Sequence, residues 1–165
     1  MPLDLFLIRH AKSSWKDVRL SDHERPLNKR GRHDAPMMAK LLKKTGIIPD
    51  RVISSTAERA KLTAKEFAKE FGIREIVLLE ELYMADEEDF LGTLSKFTGE
   101  DKCVLLFSHN PGITDFANFI CGADIPEIPT CGIVHVHFPL NGWKEVNKGT
   151  GIFRSLDYPK NHPEK

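Results

Sequence analysis

Four short stretches carry side chains suited to handling a doubly charged anion, and they lie far apart in the sequence. The first is Arg9-His10, which ends the apolar run Leu3-Asp4-Leu5-Phe6-Leu7-Ile8. The second is Arg59, the third the pair Glu80-Glu81, and the fourth Ser108-His109-Asn110-Pro111, which ends another apolar run. An arginine fork matches phosphate oxygens. A histidine among cations stays neutral and keeps a nucleophilic ring nitrogen. A carboxylate can pass a proton. Two arginines, two histidines and a carboxylate therefore amount to a site for a tetrahedral, dianionic group, most plainly phosphoryl, if the fold brings them together. His135 and His137 alternate along a strand with no third ligand motif, so they read as half-buried strand histidines rather than a metal pair.

The elements that must do this positioning follow from hydrophobic periodicity. Residues 3–8, 51–54, 75–79 and 103–107 are short apolar runs of the kind buried on both faces of a parallel sheet. A helical pattern follows each one. In residues 28–45, Ala35, Met38, Ala39 and Leu42 share a face, with Gly46 beyond the end; Pro36 either kinks this helix or begins a new one capped by Asp34. Ser55 and Glu58 fit a capping box before a helix that places Ala60, Ala64, Phe67, Ala68 and Phe71 on one side and puts Arg59 in its first turn. Asp86, Glu87, Glu88 and Asp89 open a third helix, where carboxylates suit the dipole. Asn110 and Pro111 suit the cap and first position of a fourth. Residues 132–138, 143–146 and 152–156 read as antiparallel strands separated by Asn-Gly and Gly-Thr-Gly turns.

Strands alternating with helices imply right-handed crossovers and a three-layer α/β/α sandwich, its central sheet mostly parallel with antiparallel C-terminal edge strands. In such sheets the carboxyl ends share one edge, and ligands bind there. Arg9, His10, Arg59, Glu80 or Glu81, and His109 all fall at that edge. The polar stretch 9–26 is long for a connection in a compact domain, which points to a functional loop. Within it Ser13 and Lys16 are candidate phosphate contacts. Trp15 is expected to anchor the loop, the Arg25-Pro26 turn to fix it, and His23, like His33 further on, to be solvated.

The chain has 165 residues, enough for one domain with a sizeable core, expected over 1–158 with a loose tail at 159–165. Lys+Arg and Asp+Glu each number 24, so no global charge bias points to nucleic acid or an anionic membrane. Three cysteines without close pairing suit reduced thiols, and no targeting or spanning segment is evident, so a cytoplasmic location is expected.

Arg9-His10-Ala11 resembles the Arg-His-Gly signature of the histidine phosphatase superfamily, whose fold is that of the phosphoglycerate mutases. Ser54-Ser55-Thr56-Ala57-Glu58-Arg59-Ala60 with Thr63-Ala64 is similar to its second-arginine motif, and Ser108-His109-Asn110-Pro111 to its second-histidine motif. Arg25-Pro26-Leu27-Asn28 with Gly31 resembles the SixA-type phosphohistidine phosphatase branch. The resemblance implies that His10 attacks phosphorus and carries a transient phosphoryl group, while Arg9, Arg59 and His109 hold its oxygens, with no cofactor or metal required. It implies a general acid as well, taken as Glu81, with Glu80 and Asp86 the alternatives. Ala11 replaces the usual glycine, and Lys16 stands where the mutases carry an asparagine. The chain lacks room for the insertions that cover mutase active sites. The implied substrate is therefore phosphohistidine on a signalling or phosphotransfer protein; the alternatives are a small phosphomonoester, or a module that binds phosphate or phosphoprotein without catalysis.

Overall fold

A computed structural model describes residues 2–163. In chain order the elements are β1 (Leu3–Arg9), α1 (Lys29–Lys44), β2 (Arg51–Ser55), α2 (Glu58–Phe71), β3 (Ile76–Leu79), α3 (Glu87–Leu94), β4 (Cys103–Ser108), α4 (Gly112–Cys121), β5 (Ile133–Phe138) and β6 (Ile152–Asp157). They build one six-stranded sheet in the order β3-β2-β4-β1-β5-β6. Strands β1 to β4 run parallel; β5 pairs antiparallel with β1, and β6 antiparallel with β5. This is the mostly parallel α/β/α sandwich with antiparallel C-terminal strands that the sequence pattern implies.

The strand period of two divides the core between the faces of the sheet. Leu5 and Leu7 of β1 pack with Phe90 of α3 and Phe116 of α4. Phe6 and Ile8, between them in sequence, pack with Met38 of α1 and Phe67 of α2. Residues Leu5 to Ile8 are at most 3% exposed, and each such side chain contributes about 1.5–3 kcal/mol of burial. The strand whose end carries Arg9-His10 is therefore clamped from both sides.

Register decides what meets at the edge. Arg9 lies opposite Ser108 across the β1–β4 pair, so His10 and His109 leave the sheet side by side at the same height. Ser54 of β2 pairs with Phe107 of β4, which brings Ser55 alongside His109.

Several local features differ from the sequence reading. Helix α1 runs unbroken through Pro36; Asn28 caps it, and Asp34 is buried within it, accepting from Arg30 Nε at 3.2 Å. Its packed face of Ala35, Met38, Ala39 and Leu42 outweighs the one hydrogen bond that proline removes. The N-cap position of α2 falls at Ala57 rather than Ser55 and has no side-chain cap; the Ser55 hydroxyl accepts from Ala57 N–H and meets His109 instead of closing a capping box. Asn110 does not cap α4; its side chain accepts from Thr114 Oγ1 and donates to Ile128 O. Residues 143–145 form a 3-10 turn instead of a strand, since Trp143 is pulled inward and its indole N–H donates to Asp101 O. Of the expected tail, Pro159 is buried in a 3-10 turn and His162 pairs with Asp157, while 164–165 lie outside the described residues. His135 and His137 both sit on Asp4 Oδ1, at 2.7 and 3.0 Å.

Candidate active site

The His10 ring is fixed by its own chain neighbour. Nδ1 lies 2.7 Å from Ala11 O. A carbonyl only accepts, so Nδ1 carries the proton and Nε2 keeps the lone pair. Burial, opposed by that hydrogen bond and reinforced by Arg59, Arg9 and Arg25, pulls the ring down to about 3. His10 is thus neutral and basic at Nε2 across the physiological range. The backbone behind it is held as firmly: Ala11 N–H donates to Thr63 Oγ1 at 2.9 Å, and Thr63 Oγ1 donates to Arg59 O at 2.7 Å. The residue after the β1 histidine is thereby tied to the first turn of α2.

His109 lies beside it, with ring centroids 5.0 Å apart. Its Nε2 is 2.7 Å from Ser55 Oγ, which already accepts from Ala57 N–H at 3.1 Å. The Ser55 proton has no other acceptor among the described residues, so it is donated to His109 Nε2. That leaves Nδ1 as the N–H, buried and without a protein partner. Burial, with the neighbouring His10 and Arg59, lowers His109 to about 2, so this ring too is neutral.

Both arginines are gripped by their outer ends. Arg9 Nη1 donates to Ile128 O at 2.9 Å and reaches Glu127 Oε1 at 3.4 Å. Arg59 donates through Nη1 to Asp22 O at 2.7 Å and through Nη2 to Asp22 Oδ2 at 3.0 Å. In each the Nε remains buried and unpartnered. Three of the four buried side-chain polar atoms lacking a partner among the described residues are therefore Arg9 Nε, Arg59 Nε and His109 Nδ1. Unsatisfied buried donors are costly and rare. Arg9, Arg59 and His109 line one cleft of about 350 Å³ with His10, a setting in which the oxygens of a tetrahedral anion would meet unpaired donors.

The cleft sorts the sequence-derived candidates. Arg9, His10, Arg59, His109 and Ser13 line it. Lys16 does not: the Ser13–Leu27 bridge turns the chain outward, and Lys16 lies on an adjoining groove with Arg30 and Arg32. Glu81 does not reach it either. It is exposed in the 3-10 turn Glu80–Leu82, where buried Leu82 takes the inward direction and its carbonyl accepts from Ser108 Oγ. Glu80 is exposed in the same turn, and Asp86 is occupied capping α3, on a neighbouring cleft that shares the His109 wall. Trp15 is no buried anchor. It is 73% exposed on the rim, its ring 3.4 Å from the Arg25 guanidinium carbon. His23 is held by Thr56 Oγ1 at 2.8 Å rather than solvated.

Three residues were not assigned to the site by sequence reasoning. Arg25, taken only as a loop fixer, also lines the cleft, with Nη1 donating to Ser13 Oγ at 2.7 Å. Asp22 and Tyr83 meet at 2.5 Å between Oδ2 and the phenol oxygen, and Tyr83 packs edge-on against His109. The signal for Asp22 was present as an acidic residue three positions before Arg25, inside a loop marked as functional by its length.

Comparison with known proteins agrees with this geometry. A family model described as Histidine phosphatase superfamily (branch 1) matches residues 5–92. An uncharacterized chloroplastic protein of Arabidopsis thaliana is 32% identical over 152 residues, 86% of this chain and 69% of that one. The structure of the protein histidine phosphatase SixA complexed with tungstate superposes with a TM-score of 0.83 at 26% identity, covering 96% of this chain and 99% of that one. A structure assigned to SixA from Agrobacterium tumefaciens gives 0.81 at 28% identity, with the same coverage. With the motifs in order, the sheet shared and the cleft built from the motif residues, the chain belongs to the histidine phosphatase superfamily, in its SixA-type branch, and is a phosphatase.

Proposed function

We propose that this phosphatase removes the phosphoryl group from phosphohistidine on a protein, through a covalent intermediate on His10. The Nε2 lone pair attacks phosphorus in line with the leaving nitrogen. The bond from phosphorus to the substrate imidazole breaks, and that imidazole departs with the electron pair. Water then attacks the phosphoryl group on His10, and inorganic phosphate leaves. Arg9 Nε, Arg59 Nε and His109 Nδ1–H hold the equatorial oxygens as charge redistributes.

The observation that carries the choice of substrate is that no carboxylate lines the His10 cleft among the described residues. An alkoxide must be protonated as it leaves, and an ester hydrolase needs an acid within reach. An imidazole whose distal nitrogen is protonated leaves as the neutral base and needs none. The cleft is also open, with Trp15 exposed on its rim, which suits a side chain presented on a protein surface. The relative that binds tungstate is named a protein histidine phosphatase, which supports the same reading.

The test compares phosphate release from a phosphohistidine-bearing protein and from an aryl phosphate. Wild type is expected to prefer the protein, and His10→Ala to lose roughly 1,000-fold or more of its turnover. Glu81→Gln is expected to match wild type on phosphohistidine. Full turnover by His10→Ala would remove the covalent step. A preference for small esters that depends on Glu81 would replace the protein substrate with a phosphomonoester.

A further inference from the structure

Among the described residues, Asp22 is the carboxylate bonded to both Arg59 and Arg25 on the cationic wall of the cleft, while Glu127 reaches Arg9. It opens the 3-10 turn Asp22–Glu24 in the loop after β1. Its Oδ1 accepts from Arg25 Nε at 3.2 Å and Arg25 Nη2 at 3.0 Å. Its Oδ2 accepts from Arg59 Nη2 at 3.0 Å and from Tyr83 O–H at 2.5 Å, and its backbone carbonyl takes Arg59 Nη1 at 2.7 Å. One residue thus ties the loop, the first turn of α2 and the turn after β3 together.

Two consequences follow from this arrangement. A carboxylate offers about four lone-pair directions, and all four are filled, so none remains to take a proton from water or substrate. Asp22 is therefore neither the missing acid nor a base. Its hydrogen bonds to Tyr83, Arg59 and Arg25 also hold it ionised, well below the usual carboxylate range. Its negative charge stands beside the cleft throughout turnover. The second consequence concerns Arg59. Asp22 takes one N–H from each Nη group of Arg59, which fixes the guanidinium end-on and leaves its Nε–H without a protein partner. The Nε edge that this leaves for an oxyanion stands beside the Asp22 negative charge, which opposes the binding of a resting phosphate.

We propose that Asp22 is a positioning residue for phosphoryl transfer: it holds Arg59 by both Nη groups and Arg25 by Nε and Nη2, lowering affinity for a resting phosphate while aligning Arg59 for the transition state. The proposal rests on the phosphoryl-transfer reading of His10. Binding a ground state and its transition state equally well does not raise kcat, so a carboxylate that weakens the former and orders the latter serves turnover and product release. Removing it should move the two quantities in opposite directions.

The experiment measures kcat on the phosphohistidine-bearing protein and on an aryl phosphate, together with the calorimetric affinity for inorganic phosphate and thermal stability. Asp22→Asn keeps the shape but turns an NH2 toward donors, freeing an arginine. Its kcat is expected to fall about 10- to 100-fold while phosphate binds several-fold tighter. Asp22→Glu keeps the charge with displaced geometry, so its kcat should fall while phosphate affinity stays near wild type. A kcat within twofold of wild type in Asp22→Asn would overturn the proposal. So would loss of kcat and phosphate affinity together, in step with lost stability, which is the mark of a purely structural residue. If His10→Ala keeps its turnover, the covalent reading falls, whereas the opposed shifts at Asp22 are read from phosphate binding and stand or fall separately.

Discussion

At the scale of single residues, the chemistry depends on which ring nitrogen holds a proton, and both histidines have that decided by a neighbour. Ala11 O settles it for His10 and the Ser55 hydroxyl for His109. Ser55→Ala removes the proton that fixes His109 and leaves its tautomer free. The expected outcome is a kcat lowered about tenfold with a smaller change in KM, because the lost N–H matters most as oxygen charge develops. Steady-state kinetics on the phosphohistidine protein would check it. Arg9, His10, Arg59 and His109 were legible as a set because type and order suffice to mark them. The roles of Asp22 and Tyr83 were not, since their meeting depends on a loop and a turn separated by about sixty residues.

At the scale of elements, the loop after β1 and the start of α1 are fitted against each other without slack. Asn28 N–H donates to Lys12 O, and a Cβ on Gly31 would lie 2.2 Å from that same carbonyl oxygen. The Arg25-Pro26-Leu27-Asn28…Gly31 pattern is thus a packing requirement at the mouth of the site. Gly31→Ala is expected to destabilise the fold by about 1–3 kcal/mol and to lower activity further by displacing the loop that carries Ser13, Asp22 and Arg25. Denaturant melts paired with assays on the folded protein would separate the two effects; unchanged melts would refute the close fit. The same scale explains why Glu81 fails to join. In a 3-10 turn only one of three side chains faces inward, and the apolar Leu82 takes that direction.

For the whole molecule, burying two neutral histidines has a pH signature. Their folded-state values of about 3 and about 2 lie below the ordinary 6.5 of an unfolded chain. Between those limits the unfolded state binds protons that the folded state refuses. Stability is therefore fully present above pH 6.5 and declines as the pH falls, with a limiting slope of about 1.4 kcal/mol per unit for each histidine. Asp22, whose folded value is lowered, adds to this as the pH falls through the ordinary carboxylate range and below it. Chemical denaturation at pH 7, 6 and 5 should show the decline, and His10→Asn should show a shallower one. An identical pH dependence in that variant would mean that His10 already takes up protons in the folded state.

The sequence by itself determined which strands would be buried, where they would end, and that two histidines and two arginines would meet at one sheet edge. Those properties are periodic or local, and a 165-residue chain with this pattern has few ways to satisfy them. Only the tertiary structure decided which atoms of those residues remain available. Arg9 gives Nη1 to Ile128 O and Arg59 gives both Nη groups to Asp22, while the Nε of each is left without a protein partner, and Glu81 is exposed beside the buried Leu82. Hydrogen-bond donors are allocated across contacts distant in sequence, and no local pattern records that allocation.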